Sequence, residues 1–416
     1  MSSAAVVPSN PQGQQQVANN KKMLGYLGSL RTSGPEYFFT QALTTPGVTP
    51  STFAIPKFLA MVRPMGFMHF RWKGRIVIGV AAITNISPEA PQNIIQRLTV
   101  KGTHASLGNV TLYDGSGATL FAMGRAFGVR GNSVYINGVR QPEFQGGTTV
   151  AISGGGASGT GTAATFGATG TYDLEIFYTL PFFPYFVPDS QASLFLLNPA
   201  AWGQTINITL YTADQTAFGT QGTATFVFTS FGSGSGAPAV DIYTTFVQLG
   251  DFRNSIQQGV VTRNVSPVSS VLTTAGTQVR IIQLQNQRTT AVVLKTGTTL
   301  AGTTAGVLSF GTLSESITEQ VTIQVDNKLL RNLQNNDMTK EFYGFREETV
   351  QPIGYLGIPF DDGTPSNNAF AGYRGDKLPP GAQFNLLGNI ANPAGTNTGE
   401  VVQEMILGEP VVQGGT

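Results

Sequence analysis

The chain has 416 residues, a net charge of +1 at pH 7 and only 11% charged side chains, against roughly 25% in an average globular protein. It shows no basic excess of the kind that marks a nucleic-acid binder. With no cysteine, disulfides, thiolate catalysis and Cys-ligated metals are excluded.

Residues 1 to about 20 are polar and rich in Gln and Asn, a composition that cannot build a core and reads as flexible. "MSSAAVVPSNPQGQQQVANNKK" lacks the basic and apolar regions of a secretory signal. The longest apolar run, "IVIGVAAI" at 76–83, is far short of the ~20 residues that span a bilayer. The expectation is synthesis in the cytosol and no integral membrane segment. In "NKKMLGYLGSLR" (20–31), Met23, Leu24, Leu27 and Leu30 can line one face of a short helix, with Lys21 and Lys22 at its start. Gly25 and Gly28 weaken that reading, and an extended arm packed on the body is the equal alternative.

Beyond the arm, strand follows strand. "MVRPMGFMHFRW" (61–72) gathers Met61, Met65, Met68, Phe67, Phe70 and Trp72 into a core or subunit-interface cluster. "RIVIGVAAI" (75–83) reads as a strand buried on both faces. "YDLEIFYTL" (172–180) alternates, with Tyr172, Leu174, Ile176, Tyr178 and Leu180 on one face and Phe177 the exception on the other. It runs into "PFFPYFVP", a corner of aromatics and prolines. "INITLYT" (206–212), "TATFVFTSF" (223–231) and "QVTIQVD" (320–326) alternate too, and glycine-rich stretches at 153–162 and 232–236 are loops.

Two segments carry helix signals. "DSQASLFLLNPAAW" (189–202) opens on the cap residues Asp189 and Ser190 and ends at Asn198-Pro199. "DNKLLRNLQNNDMTKEF" (326–342) has Leu329, Leu330 and Leu333 at helical spacing after the cap candidate Asp326. Each follows a patterned strand, as in a duplicated domain with its seam near 247–259. The sequence therefore predicts an all-β chain of two similar sandwiches with short flanking helices. An eight-stranded sandwich of two Greek keys is a jelly roll.

No catalytic constellation is visible. His69, in "MGFMHF", reads as a buried or interface histidine, and His104, in "KGTHASLG", as a loop residue. Asp361 and Asp362 before Gly363 make a tight turn and lack the spaced oxygens of a calcium loop. The glycine-rich loop at 153–162 lacks the lysine of a phosphate cradle. No catalytic, cofactor-binding or metal residue is assigned, and no cofactor is expected. A polar surface so poor in charge fits an extracellular or virion exterior, or permanent contacts that cover it.

The succession of long strand, aromatic-proline corner, short capped helix ending in Asn-Pro and new strand at "QTINITLY" resembles the first jelly roll of the double jelly-roll major capsid proteins of tectivirus-type bacteriophages, the lineage of the adenovirus hexon. "WKGRIVIGVAAITNISPEAPQNIIQRLTV" (72–100) is similar to that family's opening, and "TVQPIGYLGIPFDDG" (349–363) to a later strand and turn. The likeness runs over about 72 to 229.

The resemblance implies two eight-stranded jelly rolls side by side, with an N-terminal arm over 1–35, the first roll over 36–250 and the second, with a C-terminal tail, over 251–416. It implies a non-enzymic major capsid protein, made in the host cytoplasm, whose pseudo-hexagonal homotrimers tile an icosahedral virion shell. Its partners would be itself, neighbouring trimers, penton and other minor capsid proteins and an internal viral membrane, with no sequence-specific nucleic-acid binding. Phe182, Phe183, Tyr185 and Phe186 are then candidate subunit-interface residues, too aromatic to leave in water. Lys21, Lys22, Leu24 and Leu27 are candidate contacts to the inner shell or membrane. A receptor-binding spike, another β-rich virion protein or a carbohydrate-binding jelly-roll protein are the alternative readings.

Overall fold

The computed structural model describes residues 31–44, 49–56, 64–81, 87, 89–126, 131–140, 151–153, 163–165, 169–185, 193–198, 201–213, 218, 225–248, 256–267, 278–280, 288–299, 310–313, 320–325, 328–334, 354–359, 373–374, 384–389, 397–408 and 411–412. Lys21, Lys22, Leu24, Leu27, Phe186, Asp361 and Asp362 lie outside them.

A seven-stranded sheet runs Arg31–Ala42, Ala239–Gln248, Met65–Gly79, Gly170–Pro181, Ser133–Ile136 and Val139–Arg140, with Thr225–Thr229 also on Met65–Gly79. Its first strand begins at Arg31, opposite Gln248 and inside the stretch assigned to the arm. A ten-stranded sheet faces it and extends past it. Its order is Phe310–Leu313, Arg288–Thr299, Asn397–Gly408, Val260–Pro267, Gly108–Gly115, Ile95–His104, Trp202–Thr212 and Ser51–Pro56, and Tyr355–Pro359 and Tyr373–Arg374 also pair with Arg288–Thr299. A third sheet, of four strands, is Gln278–Arg280, Phe384–Asn389, Gln320–Val325 and Lys328–Gln334.

The core between the first two sheets follows from alternation. Met68, Phe70, Trp72, Ile76 and Ile78 of one long strand and Tyr172, Leu174, Ile176, Tyr178 and Leu180 of its neighbour are buried. Ile176 stands directly opposite Trp72. Leu98, Val100, Ile208 and Leu210 join the same cluster from the other sheet. The Tyr178 hydroxyl, buried among these side chains, donates to the Gln92 carbonyl at 2.7 Å and so remains satisfied.

The two halves of the chain share one sheet. Val260–Pro267 lies parallel to Gly108–Gly115, with Arg263 beside Tyr113 and Asn264 beside Asp114. The approach is close. A Cβ on Gly115 would stand 2.4 Å from Val265 Cγ2, and one on Gly259 2.6 Å from the Phe195 ring.

Three expectations change, and one helix is new. Residues 328–334 are a strand, which pairs Val321 with Leu333 and Val325 with Lys328 in a hairpin. Pairing with a well-patterned neighbour overrides the leucine spacing. The described part of 189–202 holds only a 3-10 turn, Ser193–Phe195, after which Leu197 bridges Met65 through two backbone hydrogen bonds of 2.9 and 3.0 Å. The α-helix among the described residues is Gly117–Ala126, capped by Ser116 Oγ accepting from the Thr119 N–H at 3.0 Å. Lastly, the strand at 75–83 is buried on one face only and ends at Gly79, with Val80 80% exposed.

Ile176→Asp places an unpaired carboxylate against Trp72 in this core. We expect it to cost more than ~4 kcal/mol, the range of severe core lesions, and to leave no soluble folded protein by circular dichroism. A normal spectrum would show the buried face to be misassigned.

Candidate functional site: the aromatic corner and its ionic anchors

The strand Gly170–Pro181 ends where the chain must turn and its carbonyls lose their sheet partners. Phe182 and Tyr185 are buried inside this same chain, and Phe183 is half-buried with its ring edge-on to Phe67, centroids 5.0 Å apart. The corner is tied to the second half of the chain by Arg263, which is 1% exposed. Its guanidinium donates to the Pro181 carbonyl at 2.7 Å, to the Phe183 carbonyl at 2.6 Å and to Glu404 Oε2 at 2.8 Å. It lies 4.4 Å from the centre of the Tyr185 ring. Glu404, equally buried, also accepts from the Tyr185 N–H at 3.2 Å and the Thr290 hydroxyl at 2.7 Å. Each of the three guanidinium nitrogens is aimed at an acceptor, which is what allows so buried a charge pair to persist.

A second ionic cluster joins the halves nearby. Lys295 Nζ is 2.7 Å from Glu89 Oε1 and 3.7 Å from Glu400 Oε2, and the Tyr355 hydroxyl donates to Glu89. Burial, the Glu89 charge and that hydrogen bond push the Tyr355 phenol well above its ordinary value. Burial first, and then the charge of Glu89, pushes the Glu400 carboxyl up against the pull of Lys295.

The outer face of the seven-stranded sheet carries paired charges. Arg71 meets Glu175 at 2.8 Å, Lys73 meets Asp241 at 2.9 Å and Arg75 meets Asp173 at 2.8 Å. The Arg75 hydrogen bond holds the Asp173 carboxyl below its usual range. Phe177, the exception in its strand, faces this side, under Arg71 and edge-on to Tyr135. His69 is on the same face, with Nδ1 2.9 Å from the Thr179 hydroxyl and Nε2 3.1 Å from that of Thr245. His104 ends a strand of the other sheet, packed edge-on against Trp202. The two histidines thus have separate partners. Among the described residues no group of three His, Asp or Glu could hold a metal ion. The small cleft between His104, Phe195, Trp202 and Gln258 has room for about one water molecule.

Sequence reasoning missed Arg263, Glu404, Glu89, Lys295, Glu400 and Tyr355. A signal existed. "VTRNV", "VLKTG" and "VQEMIL" each set one charge inside an apolar strand of a chain with very little charge.

No protein-family model and no curated protein matches the sequence. Solved structures do. The major capsid protein of Sulfolobus turreted icosahedral virus, 12% identical, matches over 91% of this chain and 97% of its own, with a TM-score of 0.54. The Faustovirus major capsid protein, 10% identical, matches over 92% of this chain and 91% of its own, with a TM-score of 0.55. Both are double jelly-roll proteins. This chain is a double jelly roll. The aromatic corner and the two ionic clusters all join the first half of the chain to the second.

We expect Glu404→Ala to cost ~3–5 kcal/mol, the usual loss when one partner of a buried pair is removed. Because the lost contacts cross the junction, urea unfolding should separate into two transitions where the parent protein shows one. A second expectation concerns pH. Burial pulls the His69 imidazole down to about 4, so the folded state resists its protonation. The stability this contributes is full above pH ~6.5 and lost as pH falls toward 4. His69→Gln should flatten the difference between melting temperatures at pH 7 and pH 4.5. An unchanged difference would assign the acid sensitivity elsewhere.

Proposed function

We propose that this double jelly roll is the major capsid protein of an icosahedral virion, with no enzymatic activity, whose homotrimers stand as pseudo-hexagonal tiles in the shell. The observation that carries the reading is the junction. Two sandwiches share one sheet and are joined by two sets of buried ion pairs, so that the subunit is a single stiff block. A repeating shell needs such a block, because its contacts must recur at fixed angles. The fold shared with the turreted icosahedral virus and Faustovirus capsid proteins supports the same reading.

Residues 36–250 would form the first roll and 251–416 the second with its tail, while the arm before the Arg31–Ala42 strand would reach neighbours or an internal membrane through Lys21, Lys22, Leu24 and Leu27. Phe182 and Tyr185 are taken up within the subunit, so of the four corner aromatics Phe183, beside Phe67, is the one this reading offers to a neighbouring subunit. Other partners would be adjacent trimers, penton and minor capsid proteins, in the virion shell, after synthesis in the host cytoplasm.

The test is the mass and shape of the purified protein, by sedimentation and electron microscopy. Compact trimers that pack into hexagonal arrays are expected. Elongated particles would favour a spike. Deleting residues 1–30, which leaves the Arg31–Ala42 strand whole, should preserve trimers and abolish stable shells. Normal shells from that variant would make the arm dispensable.

A further inference from the structure

Lys295 and Glu400 stand directly opposite each other on the antiparallel strands Arg288–Thr299 and Asn397–Gly408. Tyr355 stands opposite Lys295 on its other side. Side chains so paired on one face are neighbours by construction, with Cβ atoms ~4.5–5.5 Å apart. Glu89 meets this row from the first roll. All four residues are buried.

The cluster holds one ammonium and two carboxyls. Glu89 has the nearer oxygen and a hydrogen bond from Tyr355, whereas Glu400 Oε2 is buried 3.7 Å from Nζ and makes no hydrogen bond. In a dry site a single cation cannot hold two carboxylates ionised, and the less supported one keeps its proton. The upward shift of Glu400 by burial and by Glu89 agrees with this assignment. A protonated carboxyl has an electrophilic carbon. The Lys295 amine stands 3.7 Å from one oxygen of that carboxyl, which puts the two groups side by side as an intramolecular attack needs, and a carboxylate at 2.7 Å from that amine is placed to take its proton.

We propose that Lys295 and Glu400 condense into an intramolecular amide, with Glu89 as the proton carrier. Glu89 takes a proton from the Lys295 ammonium. The free amine attacks Cδ of the Glu400 carboxylic acid and the N–C bond forms. Glu89 returns the proton to the Glu400 hydroxyl, the C–O bond breaks, and water leaves. Glu89 then takes the surplus proton from the nitrogen and ends neutral. No oxidant, cofactor or second substrate is needed. The reaction replaces a buried ammonium and a buried carboxylate with an amide and an acid, which removes the standing cost of burying those charges. It also closes a covalent loop across the sheet of the second roll, which restricts the unfolded chain much as a disulfide would in a protein that has no cysteine.

The bond is read by mass spectrometry of the denatured full-length protein. We expect an intact mass lower than the sequence mass by one water. The digest should contain a branched peptide joining Lys295 to Glu400, with no tryptic cleavage after Lys295. Lys295→Met, which removes the amine and keeps the bulk, should have its full mass. So should Glu89→Gln, which keeps the shape and loses the base. Folded parent protein with its full sequence mass would overturn the proposal without recourse to any variant. Water loss that persists in Glu89→Gln would overturn the role of Glu89, and a branch mapped to Glu89 would overturn the choice of acceptor. The mass is read on unassembled protein, so its outcome is independent of whether the protein builds shells.

Discussion

A β-strand that stops inside a protein leaves carbonyls with nothing to pair with, and an unmet buried carbonyl costs about as much as a lost hydrogen bond. The strand Gly170–Pro181 meets this constraint at its C-terminal end. Arg263 resolves it from the other half of the chain by donating to Pro181 and Phe183. The solution needs a buried guanidinium, which needs Glu404, which in turn needs Tyr185 N–H and Thr290 to fill its oxygens. The prolines set the backbone of the turn, but the arginine decides what the turn is held against. Removing any member leaves the others desolvated and unpaired, so the corner, the junction and the relative placement of the two rolls form one cooperative unit.

The scarcity of charge has a matching logic. Many of the charges within the described residues sit in paired sets. One set lies across the outer face of the first sheet, where Arg71, Lys73 and Arg75 alternate along one strand and meet Glu175, Asp241 and Asp173 on its neighbours. The others lie at the junction. Partly buried pairs of the first kind, still screened by nearby water, contribute less than fully desolvated ones. They do keep a broad sheet face polar and electrically neutral, and charged side chains on a sheet discourage unplanned strand pairing. The buried pairs act differently. They fix which strand lies beside which, because a shifted register would strand a charge in the core.

Stiffness links these features to the proposed role. Two sandwiches joined by a flexible linker would sample many mutual angles, as domains with small polar interfaces do. Here the parallel pairing of Val260–Pro267 with Gly108–Gly115 carries one sheet through both halves, and Gly115 and Gly259 leave the room that the Val265 side chain and the Phe195 ring occupy. The ion clusters then pin the sides of that seam. At the corner, Phe182 and Tyr185 are buried within the chain, Tyr185 under Arg263 from its second half.

Alternation in the sequence was sufficient for the strands at 172–180, 206–212 and 225–229, because a period of two needs only local information and one buried face. Ile176 and its neighbours were legible for that reason, whereas Met68, Phe70 and Trp72 were legible as an apolar cluster that the structure assigns to the core. Composition likewise carried the all-β class and the absence of cysteine chemistry. The helix Gly117–Ala126 was not legible: Ala118, Leu120, Phe121, Ala122 and Met123 are buried nearly all round, so no polar face marks its period. Leu329, Leu330 and Leu333 misled because their spacing suits a helix until a partner strand is known. The junction was decided by tertiary structure alone. Glu89 and Lys295, or Arg263 and Glu404, are far apart in the chain, and a sequence shows which residues carry charge but not which opposite charge will be folded against them. Only the closed sheet brings them within hydrogen-bonding distance, and only burial there makes each pair matter.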